Sequence, residues 1–89
     1  MQNIDTLIDE KIHELEQILG LERAQYNPMA EVVSMYFDGD VRRARLFFYG
    51  IGVFQRGFIS REELYDIALM AKATRGLVDR LLENMGVVS

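Results

Sequence analysis

The chain has 89 residues, one histidine, no cysteine and a net charge of −4. That length fits a single domain whose modest core buries about 60–65% of the surface the unfolded chain exposes. The absence of cysteine excludes disulfides, thiolate metal sites and cysteine nucleophiles, and no apolar run reaches the ~18 residues of a membrane-spanning helix.

Apolar spacing is helical almost throughout, and predicts an all-α fold of five helices over residues 1–89. The first helix is expected from about Asn3 to Leu19. It carries a stripe of Ile4, Leu7, Ile8, Ile12, Leu15, Ile18 and Leu19, with Asp9, Glu10, Glu14 and Glu16 around it. Gly20 suits a left-handed C-terminal cap, and residues 21–27 read as a linker. Asn27-Pro28 is a strong helix start.

The second helix, about 28–37, presents Met29, Val32, Val33, Tyr36 and Phe37. Asp38-Gly39-Asp40 ends it and caps the third, about 40–56. That helix has Ala44, Phe47, Phe48, Ile51 and Phe54 on one face and Leu46, Tyr49 and Val53 on another. Apolar residues on both faces mean a central, largely buried helix. Gly57 stops it.

Ser60 and Glu63 have capping-box spacing, with Ile59 and Leu64 placed as the hydrophobic staple. The fourth helix is expected over about 61–72, burying Leu64, Ile67, Ala68 and Ala71. Thr74 caps the fifth, about 75–85, which buries Leu77, Val78, Leu81 and Met85 before Gly86.

Three motifs fail on their missing parts. Residues 57–64 have the glycine, isoleucine and glutamate of the second half of a calcium loop, but the first half offers Gly52, Phe54 and Arg56 where oxygen ligands are needed. His13-Glu14 opens a zinc-peptidase pattern, yet Gln17 stands in place of the second histidine. Gly50-Ile51-Gly52 lies inside a helical pattern and is not a dinucleotide fingerprint; its glycines suit close helix packing. No nucleophile–base pair can be built. No enzyme activity, cofactor or metal is expected.

Charge is uneven. Residues 1–39 hold eight acids against Lys11 and Arg23, whereas residues 40–89 hold eight bases against six acids. The acidic first helix with its wide apolar stripe reads as a packing element or as an interface, and Ile4, Ile8, Ile12, Leu15 and Leu19 are its candidate dimerisation residues.

The last half of the chain is the richest. Ala68 is a small residue placed for a close helix crossing, with Ile67 and Ala71 beside it. Ala73 lies in the turn, and Val78 and Leu81 are placed as anchors on the following helix. Residues 40–86 thus resemble the helix-turn-helix superfamily, at that level only. The resemblance implies a short helix presented to a DNA groove, with Lys72, Thr74, Arg75 and Arg80 as the DNA-contacting residues. Lys72 departs from the pattern, which places glycine at a left-handed turn position. Asp79 and Glu83 also depart from it, because they repel phosphate. The expected function is a small regulatory protein binding double-stranded DNA as a homodimer. The alternative is an adaptor, anti-activator or inhibitor that binds another protein through its acidic first helix. The N-terminus shows no basic segment followed by an apolar one, so a cytoplasmic location is expected.

Overall fold

A computed structural model of the protein describes residues 3–20, 30–84 and 86, with side chains of the second stretch from residue 34 onward. It has five helices and no strand among the described residues: α1 (Ile4–Leu19), α2 (Ala30–Phe37), α3 (Val41–Gln55), α4 (Arg61–Met70) and α5 (Arg75–Asn84). The expected Asn27-Pro28 start, the 21–27 linker and the side chains of Met29, Val32, Val33 and Met85 lie outside the described residues. No described helix is long and apolar enough to cross a membrane.

Helices α1, α3, α4 and α5 each start where a side chain satisfies a free amide. The Asn3 side chain accepts from the Thr6 N–H at 3.0 Å. Asp40 accepts from the Arg43 N–H at 3.1 Å and, through its other oxygen, from Arg43 Nε at 2.9 Å. Arg43 Nη2 then donates to the Phe37 carbonyl at 3.1 Å, which locks the end of α2 to the start of α3. Ser60 Oγ accepts from the Glu63 N–H while Glu63 Oε1 accepts from the Ser60 N–H, both at 3.1 Å. Thr74 Oγ1 accepts from the Leu77 N–H at 3.1 Å.

Two helices end in the same six-residue lock. At the end of α3, Phe58 N–H donates to the Val53 carbonyl and Gly57 N–H to the Phe54 carbonyl, with Gly57 at φ 80°. At the end of α4, Ala73 N–H donates to the Ala68 carbonyl at 2.8 Å and Lys72 N–H to the Leu69 carbonyl at 3.0 Å. Lys72 takes the glycine's place there, at φ 60°. The helix therefore stops at Met70 rather than at Lys72. Gly20 has the positive φ expected of it, 61°, but its ψ of −133° is not left-handed helical.

α3 is the hub and packs against α1, α2 and α4. Its Ala44, Leu46, Phe47, Tyr49, Ile51 and Val53 are buried, whereas Phe48 and Phe54 are partly covered. Gly50 is needed where α3 meets α4. A Cβ there would lie 2.9 Å from Ile67 Cγ2 and 3.4 Å from Leu64 Cδ1. The α1 stripe also goes inward: Ile8, Ile12, Leu15 and Leu19 join the same core, and Ile4 stays half exposed. This corrects the expectation of a dimer-forming stripe. Four of its five residues are buried against the protein's own chain, because α3 offers α1 an apolar face to cover. On α5 the buried anchors are Val78 and Leu82, with Leu81 only partly covered. Val78 and Leu82 sit four apart on one line of the helix, and Leu81 lies to its side.

Candidate nucleic-acid interface

Residues 71–74 join α4 to α5, and this turn projects between two shallow hollows. One, of ≈ 380 Å³, lies toward α2 and is lined by Met35, Tyr36, Gly76, Leu77 and Arg80. The other, of ≈ 370 Å³, lies along α4 and is lined by Tyr65, Asp66, Leu69 and Arg75. Lys72, Ala73 and Thr74 border both. The four residues expected to contact DNA, Lys72, Thr74, Arg75 and Arg80, are all exposed. Lys72, Thr74 and Arg80 line the α2 side together, and Arg75 leans the other way.

Arg75 places its guanidinium carbon 4.8 Å from the centre of the Tyr65 ring. A cation over a ring face is held by the ring quadrupole while its charge stays available to a partner. The Tyr65 hydroxyl donates to Asp79 Oδ1 at 2.6 Å, and Arg61 Nη1 donates to the same oxygen at 3.2 Å. Asp79 therefore turns toward α4 and is neutralised there, which weakens its repulsion of any anion approaching the start of α5. Glu83 stays exposed one turn further along.

Most other described cations are engaged. Arg42 pairs with Asp9 at 3.0 Å and with Asp5 at 3.8 Å, Arg43 with Asp40 at 2.9 Å, and Lys11 with Glu14 at 3.1 Å. The hydrogen bond from Arg43 holds the Asp40 carboxyl below its ordinary range, against a smaller opposing effect of burial. Among the described residues, Lys72, Arg75 and Arg80 make no ion pair. Arg45 on α3 makes none either, and its Nε is buried with no hydrogen-bond partner among the described residues. It is only partly exposed, whereas Lys72, Arg75 and Arg80 present their charge to solvent on the turn and along α5.

Sequence reasoning missed the apolar part of this surface. Met35 is 71% and Leu69 73% exposed, beside a half-exposed Tyr36. Leu69 did carry a signal, since it falls off the apolar line of α4. On the acidic side, His13 is exposed on α1, and no group of three or more metal-ligating side chains occurs among the described residues. Glu63, the residue of the calcium-like segment, is occupied by the Ser60 amide. Compared with known proteins, the chain matches no family model, no curated protein and no solved structure.

Proposed function

We propose that the protein is a small, non-enzymatic regulator that binds double-stranded DNA through the α4–turn–α5 unit. One observation carries this reading: Lys72, Thr74, Arg75 and Arg80 stand exposed on the α4–α5 turn and the first two turns of α5, and no carboxylate among the described residues pairs with the three cations. Phosphate contact needs this arrangement, and a helix N-terminus adds amide donors and a partial positive charge. Lys72 sharpens the point. Its backbone position is one where glycine is easier to accommodate, so the fold itself does not call for a lysine.

Three cations per chain are few for tight phosphate binding, and a second copy doubles them. The reading therefore includes a homodimer acting in the cytoplasm. The apolar surface left for a second copy near α1 is Ile4, Leu7 and Val41, which the Arg42 pairs to Asp5 and Asp9 bring to one end of the molecule. Binding of a partner protein by the α1 stripe receives less support, because that stripe is buried.

The test is a fluorescence-anisotropy titration of labelled genomic fragments at low and moderate salt. Affinity should fall steeply with salt, and Arg75→Ala should weaken binding without changing thermal stability. No retention at the lowest salt would end the DNA reading.

A further inference from the structure

We propose that the hollow between α2 and α5 docks an acidic segment of a partner protein by one large apolar side chain, and that its occupation excludes DNA. The exclusion rests on the DNA reading; the docking does not. Its floor is apolar, formed by the partly covered Ala73 and Leu77. Met35 and Tyr36 stand exposed on one wall, and Lys72 and Arg80 stand at the rim with no carboxylate partner among the described residues.

Gly76, in the first turn of α5, leaves one side of the hollow open to an occupant, and neither packing nor a positive φ demands a glycine there. A Cβ at residue 76 would meet only Thr74 Oγ1, at 3.7 Å, and Gly76 is not among the residues of positive φ. Gly50 is different, since a Cβ there would lie 2.9 Å from Ile67 Cγ2 and the packing would have to shift. What Gly76 does provide is bare backbone beside an apolar hollow, open to close approach. The rim cations select an acidic partner, and exposed Met35 and Tyr36 favour a protein over a phosphate backbone. Polyphosphate has no use for apolar walls, whereas a protein anchor buries against them. The hollow has room for one large side chain, not for a folded domain.

The experiment selects phage-displayed 16-residue random peptides on the intact protein, then measures the enriched peptides by fluorescence polarisation. Enriched sequences should be net acidic with a Trp, Phe, Leu or Met anchor. Replacing that anchor with serine should weaken binding by about tenfold or more. Gly76→Leu, which adds a bulky side chain to the lining of the hollow, should do the same, as should Arg80→Glu. Gly76→Ala should bind within about threefold of the parent. Circular dichroism confirms the fold of each variant, and the parent peptide should displace labelled DNA. Absence of enrichment, enrichment of basic or anchor-free peptides, or a Gly76→Leu protein that binds normally overturns the proposal. A dimer lost on Gly76→Leu places a second copy in the hollow and also overturns it. Peptide docking without any DNA binding leaves the site standing and ends the DNA reading instead.

Discussion

The Tyr65 hydroxyl reaches from α4 to Asp79 on α5 and donates to its carboxylate at 2.6 Å. The same ring lies under Arg75. One side chain thus holds the carboxylate of α5 aside and supports a cation beside it. Tyr65→Phe keeps the ring and removes the donor. It should cost about 0.5–1.5 kcal/mol of stability, measured by urea unfolding. It should also weaken DNA binding more than that loss accounts for, because Asp79 regains freedom to face phosphate. Tyr65→Leu should weaken binding further, by removing the surface under Arg75.

Lys72→Gly should move stability and binding in opposite directions. Glycine relieves the positive φ and should raise stability by about 1 kcal/mol. The lost cation should lower DNA affinity and reduce the salt dependence by about one ion. A destabilised variant would mean that the lysine stem contributes packing not evident from its exposure.

Asp40 links stability to pH. Its folded-state carboxyl titrates below its unfolded value, through the Arg43 hydrogen bond. Its contribution is therefore fully present above the unfolded value and is lost as pH falls below about 4 and through the lower folded value. Asp40→Asn keeps a helix-capping acceptor and removes the charge. Urea midpoints should show it less stable than the parent at pH 7, with the gap narrowing as pH falls below about 4.

Ser60→Ala removes one half of the reciprocal cap on α4. The expected loss is about 0.5–2 kcal/mol by thermal or urea unfolding. The helix should fray at residues 61–63, and faster amide exchange there would locate the effect.

The first helix separates core from interface. Leu15 is 2% exposed, so Leu15→Ala should cost about 2–5 kcal/mol. Ile8→Asp and Leu15→Asp should prevent folding rather than release a folded monomer. Leu7→Asp lies on the exposed edge and should leave helicity intact. If the homodimer uses the Ile4, Leu7 and Val41 end, sedimentation of Leu7→Asp should show a monomer; an unchanged dimer would place the interface elsewhere.

Local features were legible in the sequence because local chemistry determines them. The Ser60–Glu63 box, the Thr74 cap and the Gly57 stop each need only a few neighbouring residues, whereas the left-handed position at Lys72 was implied by the helix-turn-helix resemblance. The centrality of α3 was legible from its two apolar faces. What covers a stripe was not, because periodicity gives the direction of a face and not its neighbour. Hence the α1 stripe read equally well as an interface and as core. Leu81 and Leu82 are adjacent on α5, and only the placement of α4 decides which one is enclosed. The hollow beside Gly76 is lined by α2 and α5 residues some forty apart in sequence, and no short motif announces it.

Gly50 gives the surface a remote control. Ile67 Cγ2 would lie 2.9 Å from a Cβ at residue 50, so an added side chain must displace Ile67 or the helix that carries it. α5 is carried by α4, and the cations at the turn travel with it. Residue 50 therefore acts as a spacer dial. A substitution deep in the molecule that moved α4 would shift Lys72, Arg75 and Arg80 without touching any of them, at a cost in stability of about 1–3 kcal/mol for the overpacked crossing.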